Sequence, residues 1–75
     1  MFSYGDTVRL ISPAGEPDHN GTLRVWSVKT EFRVLHPTHN GEVVVVDDSR
    51  GLRVTFPADR MCMVRRAEHT NGRAG

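Results

Sequence analysis

The chain has 75 residues, ten basic and nine acidic, for a formal net charge of +1. A chain this short holds one domain with one small core, burying about 60% of the surface its unfolded form exposes. The near-even charge excludes a global attraction to nucleic acid or to an anionic membrane, so only a local arrangement of charge can supply one.

Nine of the ten basic residues are arginine, and Lys29 is the one lysine. The planar guanidinium fork suits carboxylates and phosphates and stacks on aromatic rings. The same bias is also the composition of a GC-rich bacterial genome. Cys62 is the sole cysteine, which excludes an intramolecular disulfide and a cysteine-based zinc site. Set between two methionines in a strand-like run, it reads as a small packed hydrophobe. There is no basic-then-apolar leader and no apolar run of spanning length, so the expectation is a cytoplasmic protein with no membrane partner.

The lead-in carries Phe2 and Tyr4, aromatics expected to plug one open end of the fold. Residues 6–12 predict the first strand, with Val8 and Leu10 inward and Thr7, Arg9 and Ile11 outward. Residues 12–21 hold two prolines, two glycines, Asp18 and Asn20, and read as a long loop. Residues 22–29 predict the second strand. Leu23 and Val25 are placed inward and Arg24, Trp26 and Val28 outward, because the opposite register would bury the Arg24 guanidinium.

Residues 31–37 extend the sheet with Phe32 and Val34 on one face, and residues 36–41 form a polar turn ending in Asn40-Gly41. Residues 42–48 are the strongest strand. The four consecutive valines Val43, Val44, Val45 and Val46 predict burial on both faces, or one face and an edge offered to a partner. A hairpin turn over residues 48–51 leads to a strand at 52–56. Pro57 stops the ladder, residues 57–60 make one helical turn with Asp59 as its cap, and residues 62–65 complete the sheet. The predicted fold is all-β: a small SH3-like barrel of five or six mostly antiparallel strands over residues 1–66. It has a one-turn helical corner near the C-terminus and a flexible tail from 67 to 75.

Gly5-Asp6-Thr7-Val8-Arg9, Gly21-Thr22-Leu23, the Asp-Ser-Arg-Gly hairpin and Phe56-Pro57-Ala58-Asp59-Arg60-Met61 together resemble the small SH3-like or Tudor-like barrels. Three families are similar in different places. Gly5 to Val8 and Thr55 to Ala58 resemble the barrel of CarD-type transcription regulators, which implies docking on RNA polymerase. Val8 to Pro13 resembles the photosystem I accessory subunit. Gly5 to Arg9 and Phe56-Pro57 resemble the plasmid-type dihydrofolate reductases. The catalytic tripeptide of that last family falls on Val54-Thr55-Phe56, which lacks its glutamine and its tyrosine hydroxyl, so its activity is not implied. These short motifs speak to fold more than to chemistry.

His36 and His39, with His19 in the first loop, match no standard zinc spacing, and no metal or cofactor is expected. Asp47, Asp48 and Asp59 read as turn residues bonded to their own backbone rather than as an acid–base set. No catalytic residue is assigned. The candidate binding face is Arg24, Trp26 and Arg53, with Arg9, Phe32 and Arg33 near it, since arginine beside an aromatic suits an acidic partner or single-stranded nucleic acid. The candidate interface is Val43, Val44, Val45 and Val46. The expected function is that of a non-enzymatic interaction module docking on a larger protein or nucleoprotein assembly of the transcription or translation kind. A protein is the first expected partner and single-stranded nucleic acid the second. The alternatives are a homo-oligomer with a ligand or catalytic pocket on its symmetry axis and a purely structural accessory subunit.

Overall fold

A computed structural model describes residues 1–67 of the chain. Among these residues the fold is all-β, with seven strands: β1 (Thr7–Leu10), β2 (Ala14–Pro17), β3 (Leu23–Trp26), β4 (Phe32–His39), β5 (Glu42–Asp47), β6 (Leu52–Pro57) and β7 (Met61–Arg65). A single 3₁₀ turn, Ala58–Arg60, is the expected helical corner between β6 and β7. Five strands form an antiparallel sheet in the order β6-β5-β4-β1-β7, and β2 and β3 form a separate two-stranded ribbon. Neither sheet closes on itself by hydrogen bonding.

Alternation decides which face of the large sheet is buried. Val8, Leu10, Phe32, Val34, Val43, Val45, Val54 and Phe56 all point to the core, joined by Phe2, Ala14, Trp26 and Met61. Two hairpin turns set the register. Asn40 (φ 52°) and Gly41 (φ 78°) are both left-handed, the geometry of a tight two-residue hairpin, and they pair His39 with Glu42. The turn over residues 48–51 returns the Gly51 N–H to the Asp47 carbonyl at 2.7 Å and pairs Asp47 with Leu52.

Several expectations are corrected. The predicted loop over 12–21 contains β2, which brings the strand count to seven rather than five or six. Its Ala-Gly-Glu-Pro sequence has little strand preference of its own, and its pairing with β3 supplies the order. Pro17 is tolerated because a ribbon strand uses only one edge. The predicted polar turn at 36–41 is mostly strand: β4 continues to His39, with register irregularities on either side of His36, and only Asn40-Gly41 turns. The 3₁₀ turn has no side-chain cap, so Asp59 does not cap it. Of the two lead-in aromatics, Phe2 is buried and Tyr4 is exposed.

The register of β3 is the reverse of the expected one. Trp26 is 1% exposed, whereas Leu23 and Val25 are each 69% exposed. The argument from Arg24 fails because its guanidinium is not buried alone. It stays at the margin and donates from Nε to Asp18 Oδ2 at 3.0 Å. Trp26 gains more by turning inward. Its ring meets Phe32 and Phe56 edge-to-face at 5.7 Å each, those two meet at 5.5 Å, and its Nε1–H donates to the buried Asp47 at 3.1 Å. This cluster joins the ribbon to the large sheet.

The ends of the described segment are also tied. Asp6 accepts from the Ser3 N–H and from the Ala67 N–H, both at 2.8 Å. Gly5 (φ +86°) makes room, since a Cβ there would lie 3.1 Å from that of Ala67. The expected flexible tail, apart from Ala67, lies outside the described residues.

Candidate functional site

One rung of the large sheet crosses all five strands. Arg53 on β6 pairs with Val46 on β5, Val46 with Arg33 on β4, Arg33 with Thr7 on β1, and Thr7 with Arg65 on β7. Residues paired across a sheet share a face, and this rung lies on the face opposite the core. Three arginines therefore stand on alternate strands, at intervals of about 10 Å. Arg9, exposed and on the same face of β1, adds a fourth. Val46, between Arg33 and Arg53, is only 7% exposed on this outward face, as expected beneath long arginine stems.

The arginines differ in how they are held. Arg33 is fixed, donating from Nε and from Nη2 to the two oxygens of Asp48 at 2.9 Å each. That paired hydrogen bond raises the Arg33 pKa, with a smaller contribution from the neighbouring Tyr4, and holds Asp48 below the usual carboxylate value. Arg65 makes a loose contact with Glu31 at 3.5 Å. Arg53 and Arg9 have no ion pair among the described residues.

Two clefts meet β6, one at Thr55 and one at Arg53. The larger, about 560 Å³, is lined by His36, Pro37, Thr38, His39, Glu42, Val44 and Thr55. The smaller, about 310 Å³, is lined by His19, Asn20, Gly51 and Arg53 itself. The ribbon tip is bonded to β6 at both positions. The His19 N–H donates to the Arg53 carbonyl at 2.9 Å, and His19 Nε2 shares a hydrogen bond with Thr55 Oγ1 at 2.9 Å. Asp18 holds that tip, accepting from the N–H groups of Asn20 and Thr22 at 2.9 and 3.0 Å. The Thr22 N–H, foremost, and Arg24 hold the Asp18 carboxyl below its ordinary value, against the opposing effect of its burial.

The structure thus divides the predicted binding set. Arg9, Arg33 and Arg53 share the outer face of the large sheet. Arg24 belongs to the ribbon and is engaged by Asp18. Trp26 and Phe32 are core residues and offer nothing to a partner. The predicted valine interface is also corrected. Val43, Val45 and Val46 are buried within the chain, and β5 lies between β4 and β6, so it has no free edge to lend. Sequence reasoning missed Arg65, Tyr4 and the cleft around His36, His39, Glu42 and Thr55. Counting outward from the Asn40-Gly41 turn and the 48–51 turn would have placed Val46 beside Arg53, and Val44 beside Thr55.

Cys62, partly buried on β7, is a free thiol. Among the described residues, no group of three or more His, Cys, Asp or Glu is placed to hold a metal ion. Nor is any helix there long and apolar enough to cross a membrane. Compared with known proteins, the chain finds no match among family models, curated proteins or solved structures.

Proposed function

We propose that this chain is a non-enzymatic interaction module that docks on a larger protein or nucleoprotein assembly through the outer face of its five-stranded sheet. The observation that carries this reading is the rung Arg53–Val46–Arg33–Thr7–Arg65. It sets Arg53 and Arg65 on a rigid platform, on either side of Arg33, whose guanidinium Asp48 already engages. A guanidinium fork suits a carboxylate or phosphate. The resemblance to SH3-like barrels, including the RNA-polymerase-docking kind, supports an assembly of the transcription or translation type by analogy alone.

The test is capture from lysate on immobilised chain, comparing wild type with the Arg53→Glu, Arg65→Glu double variant. Partners of this face elute as salt rises and are absent from the variant. Partners retained equally by both would sink the reading.

The ribbon favours a second reading, self-association. Leu23 and Val25 stand exposed on β3, whose outer edge pairs with no described strand. Light scattering across a concentration series separates the two. A dimer that Val25→Lys dissolves supports self-association, and a monomer throughout removes it.

A further inference from the structure

The outer face carries more than positive charge. Thr55 lies two residues along β6 from Arg53, and Val44 two along β5 from Val46, so the arginine rung and the larger cleft are about 7 Å apart. The two differ in kind. The rung offers guanidiniums. The cleft offers a valine floor, the flat rings of His36 and His39, the saturated ring of Pro37, the Thr55 hydroxyl and one carboxylate, Glu42. Tyr4, 60% exposed beside Arg33, adds another flat ring.

An acidic protein surface would use the rung, be repelled by Glu42 and leave the cleft idle. A polymer alternating anionic groups with flat heteroaromatic rings uses both. Resting on the docking face assigned above, we propose that its ligand is single-stranded nucleic acid. Phosphates lie along Arg53 and Arg65, on either side of the Asp48-bound Arg33, and one unpaired base enters the cleft between His36 and Thr55. Glu42 sets the direction. An ionised carboxylate only accepts hydrogen bonds, so it faces the exocyclic amino group of cytosine, adenine or guanine, and the same charge keeps phosphate on the arginine side. A duplex keeps its bases stacked and cannot fill the cleft.

Fluorescence anisotropy tests this with labelled oligo-C, oligo-A and oligo-U of about 12 nucleotides, a duplex of equal length, and a polyglutamate peptide, all on the full chain. Oligo-C and oligo-A are expected to bind roughly tenfold tighter than the duplex, with a log–log salt slope of about −1.4 for two phosphate contacts. Arg53→Glu weakens every probe about tenfold. The exposed pair His36→Ala, His39→Ala weakens single strands by roughly fivefold or more while circular dichroism is unchanged. Glu42→Gln removes the preference for oligo-C and oligo-A over oligo-U. Equal affinity for the duplex, or a base preference that Glu42→Gln leaves intact, overturns the inference. Binding of polyglutamate in place of the oligonucleotides, still lost in Arg53→Glu, overturns it while keeping the docking face. Indifference of every probe to Arg53→Glu overturns both.

Discussion

The five-stranded sheet and the two-stranded ribbon are held by different means. Each strand of the sheet except the outermost has a neighbour on both sides, and its inner face is one continuous apolar surface. The ribbon buries only Trp26 and Ala14 from its two strands and turns Leu23 and Val25 to the surface. A two-stranded hairpin is marginal by itself in water. This one is ordered by its attachments to the sheet: the Trp26 ring among Phe32 and Phe56, its bond to Asp47, and the two hydrogen bonds of His19 to β6. Packing that is spread through the sheet is concentrated in the ribbon at a few points, so single substitutions should separate the two regions.

Trp26→Ala should have the largest effect. Removing a buried aromatic costs about 3–5 kcal/mol, against a total of roughly 0.05–0.15 kcal/mol per residue for a whole domain. Urea denaturation should show the variant largely unfolded, and a loss below about 1 kcal/mol would mean that the ribbon is not anchored there. Asp47→Ala comes next, at about 1–3 kcal/mol, because the Trp26 Nε1–H and the Ser49 N–H both lose their acceptor. Combined with Trp26→Phe it should cost less than the sum of the two, and simple additivity would show that the bond does not couple ribbon to sheet.

Asp18→Asn should act only within a pH window. The folded Asp18 carboxyl sits below its ordinary 3.8, so its stabilisation is complete above that value and is lost as pH falls through the lower folded value. Thermal melts should therefore fall steeply below about pH 4 in wild type and less steeply in the variant. Equal acid sensitivity would assign the effect to other carboxylates, with Asp48 the first to examine because Arg33 depresses it in the same way. Leu23→Lys should change stability least, by no more than about 0.5 kcal/mol, since the side chain packs on little. A larger loss would reveal that the ribbon surface is covered in solution.

What the sequence made legible follows the same division. The strands of the sheet announce themselves by alternation, by the valine run and by Asn40-Gly41, and their core residues fall where the period of two puts them. The ribbon does not, because Ala-Gly-Glu-Pro has no strand signal and takes its order from pairing. Alternation also gives two answers for β3, and the choice rested on Arg24. The carboxylate that relieves Arg24 is six residues away, in what looked like loop. The site was half visible for a related reason. Arg9, Arg33 and Arg53 could be placed outward from local pattern. Their alignment with Arg65 depends on pairings across four ladders, which no local window contains.

The Asp6 clamp has a mechanical consequence. β1 and β7 run antiparallel, with Thr7 opposite Arg65, so the chain enters β1 and leaves β7 at the same end of one ladder. Tension applied through the ends would load those backbone bonds singly, in the manner of a zipper, rather than all together in shear. The Asp6–Ala67 bond is the first tooth of that zipper, and after it the sheet peels from Thr7 and Arg65 inward. A force probe pulling on the two ends should meet little resistance.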